Sequence, residues 1–324
     1  MFLMVGVFYY QGDEMYDLII IGGGPAGITA AIYAARQKLN FLMVSLDVGG
    51  QMVWSSEVEN YPGTSFSTGI ELVQKFQEHM KKYKIVVKKE EVLSVRRKSG
   101  VGSRGSGFIV KTSVGVYDAK AVIIASGKKP KKLGVPGEDE FLGKGVNYCA
   151  TCDAPLFKGK TVAVIGGGNS GMEGALFLGK YAKRVYLMDI NTKLGGEAHL
   201  RERVLGEKNI EVLNSINVTS ISGIEKVNGI KYAVGSENKE LKVDGVFIEI
   251  GLVTKADFTD VKKNKWGEIM LFRGTRTHNE NLTSVPGIFA AGDCTDIPAK
   301  QIVVAAGEGA KAALALFDYI ARNK

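Results

Sequence analysis

The sequence predicts an α/β protein built on two dinucleotide-binding units, and three observations carry the prediction. Two Gly-rich turns each follow an apolar run and open a helical stretch: Gly22-Gly23-Gly24-Pro25-Ala26-Gly27 after Leu18–Ile21, and Gly166-Gly167-Gly168-Asn169-Ser170-Gly171 after Val162–Ile165. Each turn is followed at roughly 20 residues by an acid: Asp47 after the strand expected over Phe41–Ser45, and Asp189 closing the strand expected over Arg184–Met188. Between the turns stands a redox-capable dithiol pattern, Cys149-Ala150-Thr151-Cys152-Asp153.

Glycine is needed in both turns for one physical reason. The chain must turn tightly, bring backbone N–H groups against a pyrophosphate and pack the next helix on the strand, while the helix N-terminus adds partial positive charge. One such turn is a weak signal; two, each in strand–turn–helix context and each with its acid, define two Rossmann-like βαβ units.

The first unit runs from Tyr16 to about Ser45, with a helix expected from Ile28 to Lys38. A loop rich in Gly, Ser and Pro follows from Gly49 to Gly69, then a helix over Ile70–Lys82 and short strands from Ile85 to Ile124. The second unit begins at Thr161, with the dithiol just ahead of that first strand, and its strands continue to Ile250. Ser284–Asp293 reads as a strand ending in an acid and Gln301–Arg322 as a long Ala-rich helix; neither belongs naturally to the second unit.

Composition sets the class. At 324 residues, 45% hydrophobic and 23% charged, the chain exceeds the size of one core and is too apolar for disorder. The mostly apolar Met1–Met15 holds no Lys or Arg and is too short to span a bilayer, so it reads as neither signal peptide nor membrane span. It is expected to be a locally packing extension, or residues ahead of a true start at Met15. Three cysteines, two of them in one Cys-x-x-Cys, fit a reducing, cytoplasmic compartment. Zinc, the rival use of the pair, would need about four ligands, and only Cys294, His79, His199 and His278 are left to complete the set, so no metal is expected. The net charge of +8 concentrates between Lys81 and Lys132 and reads as a solvated basic face; no nucleic-acid motif accompanies it.

Several separated motifs then converge. Beyond the two turns there are Gly49-Gly50-Gln51, Glu59-Asn60-Tyr61-Pro62-Gly63, Ala125-Ser126-Gly127, Ala291-Gly292-Asp293-Cys294 and Gln301-Ile302. From about Tyr16 to Lys324 the chain resembles the low-molecular-weight thioredoxin reductases, class II pyridine nucleotide-disulfide oxidoreductases. The resemblance implies FAD on the first turn and a nicotinamide nucleotide on the second. It also implies a discontinuous FAD domain, 16–130 with 254–324, interrupted by a nicotinamide domain at 131–253 that carries the dithiol. Family FAD contacts carry over to Gly22, Gly24, Pro25, Ala26, Gly27, Asp47, Gly50, Gln51, Asn60, Gly127, Gly292, Asp293, Gln301 and Ile302. Nicotinamide-nucleotide contacts carry over to Gly166, Gly168, Asn169, Ser170, Gly171 and Asp189.

The same resemblance implies a chemistry. Electrons pass from NADH or NADPH to the flavin, one domain rotates against the other, and the Cys149–Cys152 pair is reduced and attacks a thioredoxin-like disulfide through a mixed disulfide. Asp153 sits where the family keeps its acid, and family habit is a homodimer. Cys294 reads as a buried small apolar residue. One departure matters: NADPH-using members carry a basic cluster after the second strand, whereas here Asp189-Ile190-Asn191 stands there. An acid accepts from a free 2′-hydroxyl and repels a 2′-phosphate, so NADH is the expected donor. That feature resembles the NADH-dependent peroxiredoxin-reductase branch; relatives with other donors, and a non-catalytic flavin-binding module, remain the alternatives. A ferredoxin– or flavodoxin–NADP reductase on this fold would lack the Cys-x-x-Cys.

Overall fold

The computed structural model describes residues 9–10, 15–54, 58, 60–65, 67–98, 107–254, 256–272 and 280–322. The chain divides into two compact units, residues 1–128 with 254–324 and residues 129–253. Elements are numbered in chain order.

In the first unit, β2 (Tyr16–Ile21) pairs in parallel with β3 (Phe41–Val44) on one side and β7 (Gly115–Ile124) on the other, and β3 pairs with β4 (Val87–Lys88). β5 (Val92–Arg97) and β6 (Phe108–Thr112) add antiparallel strands, giving the order β4-β3-β2-β7-β6-β5. Leu18–Ile21 is buried on both faces, which is why it reads as one apolar run. Leu18 and Ile20 face α1 (Pro25–Arg36) and α6 (Ile302–Arg322), whereas Ile19 and Ile21 join Val95, Phe108, Ile269 and Cys294 on the opposite side. α2 (Gly69–Lys82) starts at a capping box, Thr68 Oγ1 accepting from the Glu71 N–H and the Glu71 carboxylate from the Thr68 N–H. From the expected extension, β1 (Tyr9–Tyr10) pairs with Gly115–Val116 of β7; residues 1–8 and 11–14 lie outside the described residues.

The tail of the chain differs from the sequence reading. Only β18 (Ile288–Ala290) of the stretch 284–293 is a strand, paired with Val122–Ile124 of β7. The Pro286-Gly287 turn, with φ +91° at Gly287, keeps the preceding residues out of it, and Asp293 lies in a 3₁₀ turn, Gly292–Cys294.

The second unit holds a parallel sheet, β12 (Ile210–Leu213), β11 (Arg184–Met188), β10 (Thr161–Ile165), β16 (Gly245–Ile248) and β9 (Val146–Asn147), in that order. One face packs on α3 (Ala150–Asp153), α4 (Asn169–Gly179) and α5 (Ala198–Gly206), the other on the antiparallel strands β13 (Asn217–Gly223), β14 (Val227–Val234) and β15 (Glu237–Leu241). β9 enters this sheet ahead of Thr161, so the dithiol follows the unit's first strand; two residues are too few to show a period in sequence. The segments joining the units, β8 (Lys128–Pro130) and β17 (Leu252–Thr254), pair with each other. Among the described residues no helix is long and apolar enough to cross a membrane, and no group of three or more His, Cys, Asp or Glu could hold a metal ion.

Candidate functional site

The first Gly-rich turn is shaped by collisions that only glycine avoids. Gly22 has φ +116°, and a Cβ there would lie 2.1 Å from the Ala125 carbonyl oxygen; a Cβ on Gly27 would lie 1.9 Å from the Gly22 carbonyl oxygen. Gly24 is different: a Cβ would meet nothing within 4 Å. Gly24 is also the N-cap of α1 and offers no side-chain cap, with Pro25 following. The first N–H groups of α1, Ala26 and Gly27 among them, therefore face an open cradle without intrahelical acceptors.

Candidate residues far apart in sequence meet around this cradle. Gly50, at φ +54°, would place a Cβ 3.3 Å from Gly24 Cα, and Gly292 would place one 3.0 Å from Ala26 Cβ. Gln51 Nε2 donates to Asp293 Oδ2 at 3.2 Å, and a Cβ on Gly127 would lie 3.7 Å from the same nitrogen. Asn60 Nδ2 donates to Gln301 Oε1 at 3.0 Å, and Gln301 directly precedes the first residue of α6, Ile302. Burial pushes the Asp293 carboxyl above its ordinary range, against the opposing charges of Lys300 and Lys128 and the Gln51 hydrogen bond. Those lysines are held in turn by Glu268, at 3.3 and 3.0 Å.

Asp47 does not occupy the place that Asp189 holds in the second unit. Ile21 pairs with Val44 in the first sheet as Ile165 pairs with Met188 in the second, so the residue equivalent to Asp189 is Ser45. A Cβ on Gly23 would lie 2.1 Å from the Asp47 carbonyl oxygen and 2.9 Å from the Ser45 side chain, at Oγ, as one on Gly167 would lie 2.1 Å from the Asp189 side chain, at Oδ2. Asp47 is exposed and its Oδ1 accepts from the Gly50 N–H at 3.1 Å, bracing the loop that carries Gln51. The signal for Ser45 was in the sequence: it stands 23 residues after Gly22, as Asp189 stands 23 after Gly166.

The second turn repeats the first. Gly166 has φ +115°, a Cβ on Gly171 would lie 1.7 Å from the Gly166 carbonyl oxygen, and Gly168, the uncapped N-cap of α4, faces open space. Asp189 is 5% exposed, and its Oδ1 accepts from both Asn191 N and Asn191 Nδ2 at 3.1 Å, which orients the other oxygen over Gly167. Asn169 is turned to the loop ahead of α5, exchanging two hydrogen bonds with Glu197 at 3.1 and 2.9 Å, and Ser170 is exposed.

Cys149 is half-buried and disulfide-bonded, whereas Cys294 is free and fully buried, its Sγ directed at the Ile124 and Ala291 carbonyls. The Cys149 carbonyl accepts from the Asp153 N–H at 3.3 Å, closing α3. The side chains of Thr151 and Cys152 lie outside the described residues. Burial pushes the half-buried Asp153 carboxyl up, and its side chain makes no cap hydrogen bond to the 3₁₀ turn that follows. Upstream, the buried Glu138 carboxylate accepts from the Leu133 and Gly134 N–H groups at 2.9 and 2.6 Å and from the Tyr148 hydroxyl, anchoring the segment that leads into the cysteine.

Two nucleotide cradles and a cystine thus define a flavin- and nucleotide-dependent disulfide oxidoreductase fold. The chain belongs to the pyridine nucleotide-disulphide oxidoreductase family, which residues 16–309 match. It is 38% identical over 314 residues to the NADH dehydrogenase of Ferdinandcohnia aciditolerans, covering 96% of this chain and 58% of that protein. To one of the alkyl hydroperoxide reductase subunits of Pseudomonas putida it is 38% identical over 321 residues, covering 97% and 60%. The chain therefore spans about three fifths of the length of these relatives. Among solved structures, the Lactococcus lactis thioredoxin reductase is similar with a TM-score of 0.82 at 33% identity, over 95% of this chain and 99% of that one. Membership implies FAD and a nicotinamide nucleotide as redox groups, and the open cradles at Gly24 and Gly168 fit two pyrophosphates.

Proposed function

We propose that this chain is a disulfide reductase that passes electrons from a nicotinamide nucleotide, NADH by preference, through FAD and the Cys149–Cys152 pair to a thioredoxin-like protein. The observation that carries the reading is the disulfide at Cys149, four residues before an acid whose carboxyl is raised by burial and whose side chain caps nothing.

Bound flavin would supply two electrons at a time. The first cradle would hold it through the α1 N–H groups, with Gln51 and Asp293, and Asn60 and Gln301, fixed in two hydrogen-bonded pairs. Gly168 and the α4 N-terminus would hold the nicotinamide nucleotide, with Asp189 accepting from a ribose 2′-hydroxyl. Breaking the Cys149–Cys152 bond takes up two electrons and leaves two thiols. Asp153, whose proton affinity burial raises, would deliver a proton to the departing sulfur. One thiolate then attacks the partner's disulfide; the second cysteine resolves the mixed disulfide, releasing the partner as a dithiol and restoring the cystine. A homodimer is part of the same proposal.

A peroxiredoxin-system reductase is the second reading, favoured by the alkyl hydroperoxide reductase relatives and by the acid at Asp189. Anaerobic flavin reduction by NADH, NADPH and reduced one-electron carriers, followed by turnover on a thioredoxin and on a peroxiredoxin-system disulfide, separates them. Colourless protein that takes up no FAD, or turnover that survives Cys149→Ser, would refute the proposal.

A further inference from the structure

One half-buried carboxylate stands behind the second Gly-rich turn, where a Cβ on Gly171 would lie 3.7 Å from Glu249 Cβ. Glu249 follows β16 at the C-terminal edge of the parallel sheet, where its N–H donates to the Ile165 carbonyl at 2.8 Å. Its carboxylate accepts a hydrogen bond from the backbone N–H of Ala150, the first residue of α3, directly after Cys149. The neighbouring helix makes room for this: a Cβ on Gly174 of α4 would lie 3.3 Å from Ala150 Cβ and 3.7 Å from both Glu249 Cγ and Oε1. Two independent observations, the amide hydrogen bond and the shared packing on Gly174, thus tie this side chain to the start of the dithiol segment.

The surroundings are acidic. Burial, joined by the charge of Glu173 of α4, pushes the Glu249 carboxyl up to about 7 against the Ala150 hydrogen bond. Glu173 is itself raised by burial and by Glu197, with His199 and Arg203 acting against them, and Asp153 of α3 is raised by burial. Among the described residues no salt bridge reaches Glu249. A partly desolvated carboxylate without a cation is costly, and its hydrogen bond to the residue after Cys149 supplies a use for it.

We propose that Glu249 positions the dithiol: its carboxyl holds the Ala150 amide at the start of α3, and its charge opposes thiolate formation in the reduced pair. This deepens the disulfide-reductase reading and rests on it. The ionisation of the carboxyl and that of the reduced pair are thereby linked. At low pH Glu249 is neutral and leaves the thiols alone; as pH rises through its titration it becomes anionic and holds the thiolate fraction down.

The test uses the full chain, reduced under anaerobic conditions, and follows iodoacetamide modification of Cys149 and Cys152 by mass spectrometry from pH 5.5 to 9. Glu249→Gln keeps an acceptor for the Ala150 amide and removes the charge. The rate ratio of variant to parent is expected near one at pH 5.5 and roughly 3–30-fold above one near pH 8, the range for a unit charge several ångströms away at intermediate dielectric. A purely structural role would give a ratio independent of pH, and that result overturns the proposal. A second measurement reads the anchoring: hydrogen exchange of the Ala150 amide should match the parent in Glu249→Gln and quicken in Glu249→Ala, and unchanged protection in Glu249→Ala also overturns it. A flat ratio in protein whose turnover needs Cys149 sinks this proposal alone, whereas turnover by Cys149→Ser sinks the dithiol reading and this proposal with it.

Discussion

Three glycine-to-alanine changes that look alike in sequence should behave differently, and together they assign the two cradles. At Gly24 the added methyl meets nothing within 4 Å, and the backbone, at φ −78° and ψ −176°, suits alanine. The fold gains about 0.4–1 kcal/mol from reduced unfolded-state freedom, offset by alanine being a poorer N-cap than glycine, so Tm should barely move. The methyl does occupy the space through which a pyrophosphate would reach the α1 amides. At an overpacking cost of about 1–3 kcal/mol, FAD affinity should fall roughly 5- to 150-fold. At Gly27 the methyl would stand 1.9 Å from the Gly22 carbonyl oxygen, where ordinary contact begins at 3.4 Å, so the turn itself must move. Tm and flavin should both be lost. Gly168→Ala, with its open surroundings and φ −82°, should keep the flavin and weaken only nucleotide-driven reduction. The assays are flavin absorbance after dialysis, Tm by calorimetry, and stopped-flow flavin bleaching. Unchanged FAD affinity in Gly24→Ala, or flavin loss in Gly168→Ala, would refute the cradle assignment.

Three further outcomes are expected. NADH should reduce the flavin roughly 5- to 150-fold more efficiently than NADPH if buried Asp189 meets the 2′ position as proposed; Asp189→Ala with Ile190→Arg should narrow or invert the ratio, and equal rates in the parent protein would rule the argument out. Asp153→Asn should slow disulfide turnover by about 10²–10⁴-fold while leaving nucleotide-driven flavin bleaching intact, since its side chain makes no cap hydrogen bond whose loss would mimic a structural effect; a change of under tenfold would demote it from general acid. Glu249 also makes stability depend on pH: its folded carboxyl titrates at about 7 against an ordinary 4.5, so the stability present below 4.5 is lost as pH rises through about 7. Glu249→Gln should abolish that loss, worth at most about 3 kcal/mol before solvent screening, and calorimetry at pH 5 and 8.5 should show the variant's Tm advantage only at the higher pH.

The Gly-rich turns were legible because their causes are local. Gly22 and Gly166 need a left-handed φ, and Gly27 and Gly171 tolerate no Cβ beside the preceding turn, so the residue type announces the geometry. Asp189 was legible for the same reason, since the lengths of α4 and β11 fix its distance from Gly166. In the first unit the same spacing points to Ser45, two residues before Asp47, and the pairing of Ile21 with Val44 makes Ser45 the positional equivalent of Asp189. β9 shows no alternation of its own because it is stabilised by its neighbour in the sheet, and of the strand expected over Ser284–Asp293 only β18 forms, held by β7.

By itself the sequence determined the two βαβ units, the dithiol pattern and the residue types at each phosphate cradle, because each depends on neighbours within about 25 positions. Tertiary structure alone decided which of the distant groups pair directly. Gln51 meets Asp293 and Asn60 meets Gln301 only because the chain leaves the first unit, completes the second and returns, and nothing local in either segment encodes that meeting. Glu249 is the sharpest case. In sequence it is one acid in the apolar run Phe247-Ile248-Glu249-Ile250; the parallel sheet carries it to the edge where Ala150 begins its helix, and burial there gives an ordinary carboxylate an unusual proton affinity.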